Sequence, residues 1–405
     1  MFYERGVEVS NWNLWRRVAA LSVVGAVAAG GIAAGAGSTA LAASHHAKKK
    51  AKAPWVIGSL IDQTGTDADG GVSQKAGVEW YFNQINAKGG INGHKLKLKF
   101  CDTQSTPQGG AQCAQQLAGS VNTHFVLAQS IDPPTRGALP FLTKDLVLAV
   151  DPVLLPPKSM TNVFQATGLG KVVAGALVTA AKAAGINTIG VAFTSDTSGQ
   201  AQLGAVQGVA QAAGIKIVSQ SQQVGATDIT PQLQQLVAQG AQLIYVASVG
   251  TNSSAVVNSY NTLGLNIPIV VGAADVTNGF LGLVSKVPAK MYGVSQLLQD
   301  KAALKPRTAK VFGQYLTSFK STTGSPADTQ NTSAVYAACE AAAALKGAGP
   351  NVTKLESFLN THLITCLGSN MRFNVPGLNV IGSQPASLSK AGSNPKAGWG
   401  PFKRF

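Results

Sequence analysis

The sequence predicts an α/β chain of two lobes, each a mostly parallel sheet flanked by helices. Three observations carry this reading. Apolar, β-rich segments alternate with helical patterns from Trp55 to about Val271, at the spacing of parallel βα units. The 405 residues are too many for one ordinary core and enough for two domains. Polar loops follow the apolar segments, at the carboxyl edge where ligands of open α/β folds bind.

The first unit sets the pattern. Residues 55–61 (WVIGSLI) suit a buried strand, and the Gly- and Asp-rich run 62–71 (DQTGTDADGG) cannot continue it. Val72, Ala76 and Trp80, then Tyr81 and Ile85, recur at steps of four and predict a helix that Gly89-Gly90 ends. Residues 95–100 (KLKLKF) alternate as a half-covered strand does. After Cys113 a helix is expected to about Val121, then a strand at 124–128, a loop over Gln129–Pro134, a helix over Ala138–Lys144 and a strand over Leu146–Val150.

Residues 162–167 read as a strand crossing between lobes. The second block follows with helices expected over Gly168–Ala184, to Ala213, over Thr230–Gln239 and over Ala255–Leu263, and strands at 188–193, 215–219, 242–247 and 268–271. Met291–Leu297 is expected to cross back, and helices near 306–322 and 329–347 to complete the first lobe. The tail from Leu367 is rich in Gly, Pro, Ser and Asn and shows little periodicity beyond MRFNV (371–375).

Motifs of catalysis are missing. No G-x-G-x-x-G follows a strand, since Gly168-Leu169-Gly170 continues wrongly, and there is no Walker A, G-x-S-x-G, HExxH or CxxC sequence. His94, His124 and His362 are scattered and read as ordinary surface or core histidines. The formal charge is +15, of which residues 1–53 carry +5. The rest is dilute, and no basic stripe with aromatics marks a nucleic-acid surface.

Residues 1–43 read as an export signal. Arg16-Arg17 precede an apolar run, Val18–Ala34, and Ala40-Leu41-Ala42 offers small residues for cleavage. The alternative is an uncleaved anchor, for which the run is short. With no Cys in this region a lipid-anchored Cys is not expected. Residues 44–54 (SHHAKKKAKAP) form a basic tether. Cys101, Cys113, Cys339 and Cys366 all lie in the exported part, and an even number outside the cytoplasm points to two disulfides. Of three pairings the local closures Cys101–Cys113 and Cys339–Cys366 are favoured; buried thiols and a metal site are the alternatives.

The run Ile85–Leu96 (INAKGGINGHKL), followed by CDTQSTPQGGAQCAQQLA at 101–118, resembles the Leu/Ile/Val-binding protein family, solute-binding proteins of ABC importers. The resemblance implies a two-lobed type I periplasmic-binding-protein fold. Lobe 1 is then expected to take residues 55–166 and 297–365, and lobe 2 residues 167–296 and 366–405. It implies an exported, extracellular, periplasmic or cell-surface protein that captures a small amino-acid-like or other polar solute between lobes hinged on three strands. Expected partners are that solute and an ABC permease, with the chain a monomer. No cofactor, metal or enzymatic step is expected. A ligand sensor or cell-envelope protein on the same fold is the alternative, and an α/β enzyme the third.

The loops at strand ends supply the candidate site. On the first lobe they hold Asp67, Asp69, Gln129, Ser130, Asp132, Thr135 and Asp151, and on the second Ser195, Asp196, Ser248, Thr251, Asn252 and Asp275. Asp and Ser at helix starts also serve as plain caps. The family's pocket uses Ser/Thr and backbone N–H groups for a carboxylate, an acid for an ammonium, and aromatics around the side chain. Here Gly70 stands where the family often has Tyr, the run Ser130-Ile131-Asp132-Pro133-Pro134 replaces its Ser/Thr pair, and loops 194–199 and 248–252 lack aromatics. A wider or more polar pocket is expected, or a degenerate one. Asp275 is expected either to hold a solute cation or to cap a helix beginning near Thr277.

Overall fold

A computed structural model describes residues 7–8, 52–151, 154, 156–295, 304–373, 379–380, 386–400 and 405. The expected export segment, apart from Val7–Glu8, and the tether up to Ala51 lie outside the described residues. So do the end of the second crossing beyond Ser295 and part of the tail. Among the described residues no helix is long and apolar enough to cross a membrane.

The first sheet has five parallel strands: β1 (Trp55–Ile61), β2 (Leu96–Asp102), β3 (Phe125–Gln129), β4 (Leu146–Ala149) and β5 (Val163–Gln165). Their order, β2-β1-β3-β4-β5, reverses direction between β1 and β3. That switch point opens a crevice at the carboxyl ends. One face is covered by α1 (Ala68–Ala87), and by two helices contributed from much later in the chain, α9 (Pro306–Thr323) and α10 (Thr329–Ala348). Trp80 packs edge-on against Tyr315 at 5.3 Å, and Phe125, Leu127, Leu146 and Leu148 lie under the Ala-rich face of α10. The other face is covered by α2 (Pro107–Leu117) and α3 (Asp132–Ala138).

The second sheet has seven strands. β6 (Thr188–Thr194), β7 (Lys216–Gln222), β8 (Leu243–Ala247), β9 (Ile269–Val271) and β10 (Met291–Ser295) are parallel, in the order β7-β6-β8-β9-β10. Two antiparallel strands from the tail extend the β10 edge, β13 (Ser387–Ala391) and β14 (Trp399–Gly400). Helices α4 (Gly170–Ala183) and α5 (Thr197–Ala213) cover one face. Helices α6 (Thr230–Ala238), α7 (Gly250–Thr262) and α8 (Phe280–Leu283) cover the other.

Both local disulfides are present, Cys101–Cys113 with Cα atoms 5.4 Å apart and Cys339–Cys366 with Cα atoms 6.0 Å apart. The second pins α10 to a short hairpin, β11 (Ile364–Cys366) with β12 (Ser369–Met371), after α11 (Val352–Thr361). Ile364, Cys366, Leu367, Met371 and Phe373 thereby join the core of the first lobe. This corrects the expectation that the chain enters the second lobe at residue 366. The apolar residues hidden in MRFNV cover Phe164 on β5, with Phe373 edge-on at 5.2 Å. Asn379–Val380 then runs beside Gln165, whose amide donates to Asn379 O at 2.8 Å, so the first and third crossings lie side by side.

Several helices start earlier than the sequence predicts. α1 begins at Ala68, inside the expected loop, and Val72, read as part of its apolar stripe, is 59% exposed. α3 begins at Asp132 rather than Ala138, because Pro133 and Pro134 suit a first helical turn. α5 begins at Thr197 and α7 at Gly250. The connections from strand to helix are therefore only a few residues long, and helix N-termini stand directly over the strand ends.

Candidate functional site

The two carboxyl edges face each other, and the lobes touch across the cleft. Thr251 N donates to Thr66 O at 2.9 Å, Thr277 Oγ1 to Asp69 Oδ2 at 2.6 Å and Thr197 Oγ1 to Asp132 Oδ1 at 2.8 Å. From the far side, Gln330 Nε2 donates to Ala274 O at 3.2 Å and Asn278 N to Asp328 Oδ2 at 3.2 Å. Gly250 has φ +54° and a Cβ there would meet Thr66 O at 1.8 Å, so only glycine allows this approach.

Between the lobes lies a cavity of about 50 Å³. That is room for on the order of four water molecules. Its apolar wall comes from Ile131 and Val150 on the first lobe and Val173, Val206, Tyr245 and Val249 on the second. Its polar wall comes from Gln74, Ser130, Asp151, Ser198, Gln202 and Gln330. Among the described residues no Lys, Arg or His lines it. Gln74 Nε2 donates to Gln330 Oε1 at 2.7 Å, which leaves Gln74 Oε1 buried without a partner. Ser198 Oγ is likewise buried and unpartnered. Tyr245 OH donates to Gln202 Oε1 at 3.2 Å.

The predicted loop residues divide by what they touch. Ser130 and Asp151 line the cavity. Gln129 lies beneath it and stays within the first lobe, accepting from Ser59 Oγ at 2.9 Å and donating to Gln74 O. Thr135 donates to Ser130 O at 3.2 Å. Asp132 pairs with Arg136 at 2.8 Å and takes Thr197 from the other lobe, so it belongs to the interlobe contact. Asp196 caps α5, accepting from Gly199 N at 2.9 Å, and Ser195 is exposed beside Gln223; neither lines the cavity, whereas their neighbour Ser198 does. Ser248 pairs with Ser253 at 2.8 Å, Asn252 accepts from Gly225 N at 2.7 Å and the side chain of Thr251 is exposed.

Asp275 corrects the capping expectation. Thr277 Oγ1, not Asp275, accepts from Phe280 N at 2.9 Å at the start of α8. Asp275 Oδ1 instead accepts from Gly250 N at 2.6 Å, at the N-terminus of α7, and Oδ2 has no partner. The first lobe brings Asp67 and Asp69 to the same interface. Both oxygens of Asp67 are buried without partners, as is Asp69 Oδ1. Burial, then the charges of Asp69, Asp62, Asp275 and Asp151, push the Asp67 carboxyl well above the usual range. Burial does the same to Asp275. Among the described residues no group of three or more His, Cys, Asp or Glu is placed to hold a metal ion.

Asp62, at the exit of β1, is a site residue that loop reading passed over. Its Oδ1 accepts from Ser130 Oγ at 2.6 Å and from Thr103 Oγ1, and its Oδ2 from Ile131 N at 3.1 Å. Burial raises its carboxyl to about 6, against these hydrogen bonds, which lower it.

Residues 54–362 match the model of a family described as periplasmic binding protein. The chain belongs to that family. It is a family of binding proteins, not of enzymes, and the fold is the two-lobed type I form. A Leu/Ile/Val-binding protein homolog of Brucella melitensis is 32% identical over 135 residues, 32% of this chain and 36% of that protein. An amino acid binding protein of Pseudomonas aeruginosa is 25% identical over 244 residues, 58% of this chain and 63% of that one. The chain thus spans between about a third and just under two thirds of the curated relatives it matches. Among solved structures, the leucine binding protein LivK of Thermotoga maritima superposes with a TM-score of 0.74 at 14% identity, covering 85% of this chain and 97% of that one. A fatty acid ABC transporter substrate-binding protein of Thermomonospora curvata gives 0.71 at 15%, covering 87% and 92%. At such identities the likeness is one of fold.

Proposed function

We propose that this chain is an extracytoplasmic solute-binding protein of an ABC importer, exported by its N-terminal segment and acting as a monomer. It captures a small polar solute between its lobes and delivers it to a membrane permease. The observation that carries this reading is the interlobe cavity at both carboxyl edges, with Gln74 Oε1 and Ser198 Oγ buried on its wall and unpartnered. A buried polar atom without a hydrogen bond costs about 1–3 kcal/mol, which a solute contributed between the lobes offsets. Closure about the crossings at Gln165, Ser295 and Val380 then gives a permease a surface that the open form lacks. Membership of the family and the names of its relatives support this, and the solute itself is not inherited from them.

A thermal-shift screen over amino acids, amides, amines, sugars and small carboxylates tests the reading. A solute at a hundred times its Kd adds about 2.7 kcal/mol to the folded state, so a clear rise in melting temperature is expected for one class. No shift across the whole screen counts against solute capture.

A further inference from the structure

The carboxyl edge of β3 is where the first lobe offers its hydrogen-bond donors, and those donors already have an anion. Ser130 and Ile131 line the cavity, yet Ser130 Oγ donates to Asp62 Oδ1 at 2.6 Å and Ile131 N donates to Asp62 Oδ2 at 3.1 Å. Thr103 Oγ1 donates to Asp62 as well, and Thr135 Oγ1 is engaged by Ser130 O at 3.2 Å. Asp62 is itself fully buried. A protein carboxylate behind the cavity wall therefore engages donors that would otherwise be free to take a carboxylate from solution.

Among the buried side-chain atoms of the described residues, what is left without a partner is mostly of the opposite kind. Gln74 Oε1 on the cavity wall is an acceptor. Both oxygens of Asp67, Asp69 Oδ1 and Asp275 Oδ2 at the adjoining interface are also without partners, and they accept when ionised. Ser198 Oγ serves either way. Among the described residues no Lys, Arg or His lines the cavity. On the first lobe a solute carboxylate would meet engaged donors and several acids. An ammonium brings donors to unpartnered acceptors, and a positive charge to a desolvated acidic cluster.

We infer that Asp62 is a built-in carboxylate that ties up the first lobe's anion donors, and that the solute is a small alkylamine bearing no carboxylate. Asp62 acts here as a specificity determinant, through Ser130 and Ile131. The volume agrees, since a space for about four waters accepts a short amine more readily than a whole amino acid. The inference rests on the solute-binding reading and narrows it.

Titration calorimetry of the purified protein at pH 7.5 with three matched probes decides it. They are isoamylamine, 4-methylpentanoate and leucine, which share one branched chain and differ in the charged groups. Isoamylamine is expected to bind at least 10-fold more tightly than leucine, and 4-methylpentanoate to give no heat. Leucine or 4-methylpentanoate binding as well as the amine overturns the inference while leaving solute capture in place. No heat from any probe also overturns it, and the broad thermal-shift screen then judges solute capture alone. In Asp62→Ala the Ser130 and Ile131 donors are released, and 4-methylpentanoate is expected to gain at least 10-fold in affinity. A folded Asp62→Ala protein that still rejects it removes Asp62 from the role. If that variant does not fold, the three probes on the unaltered protein decide.

Discussion

Glu340 lies in the middle of α10, fully buried, with neither carboxyl oxygen hydrogen-bonded. Its neighbours on the helix are Cys339 and alanines, so burial alone pushes its carboxyl well above the usual carboxylate range. The folded state keeps a proton there that the unfolded chain loses above about 4.5. Stability from this group is therefore complete below the unfolded value and falls as pH rises toward the folded one. Glu340→Leu keeps the volume and removes the titration. We expect the variant to be more stable at pH 8, by about 1–3 kcal/mol, and the gap to shrink at pH 5. Urea unfolding at both values measures it, and a gap that does not change with pH refutes the assignment. Residues of this kind were not legible in the sequence. A Glu flanked by CEAAAA reads as a solvated helix position until the packing is known. Gln74, Gln202 and Gln330 escaped notice for the same reason, since each sits within a helix rather than in a strand-end loop.

Among the elements, the strands were the most readable, because buried parallel strands are continuous apolar runs bounded by turn residues. The helix starts were not. Gly70, Gly71, Pro133, Pro134 and Gly250 look like loop residues, yet each occupies a first turn. Gly71 shows why: a Cβ there would meet Asp62 O at 1.8 Å, so the helix can sit on the strand exit only without a side chain. The disulfides were legible from spacing and compartment, and they bear a prediction. On the loop-closure model the 12-residue separation of Cys101–Cys113 and the 27-residue separation of Cys339–Cys366 contribute roughly 3 and roughly 3.5 kcal/mol. Replacing each pair by serines is expected to lower the denaturant midpoint, and more for Cys339–Cys366. Equal midpoints for all three proteins would mean that the unfolded chain gains nothing from either constraint.

Over the whole molecule, closure brings Asp67 and Asp69 of one lobe against Asp275 of the other. Asp328, also at the interface, is raised to about 6 by burial. Groups raised in the closed form take up protons on closing. Acid therefore favours closure, and that advantage is lost as pH climbs from the ordinary carboxylate range through about 6 and onward. Small-angle scattering of the unliganded protein at pH 5 and pH 8 is expected to give the larger radius at pH 8. A smaller radius at pH 8 would show that these acids do not govern the equilibrium. The two-lobed plan was readable from the βα rhythm, but the path of the tail was not. Its strands β13 and β14 carry little apolar periodicity, and Ser389 is buried where alternation alone gave no signal.

The first lobe is built from both ends of the chain, and this sets an order in time. When residues 55–166 have been made, one face of their sheet, with Phe125, Leu127, Leu146 and Leu148, still lacks α9 and α10. The whole parallel part of the second sheet is synthesised before those helices exist. Cys101 can meet Cys113 as soon as α2 forms, whereas Cys339 and Cys366 can join only near the end. The lobe begun first is finished last, and an emerging chain must keep an uncovered apolar sheet from aggregating until about its final quarter arrives.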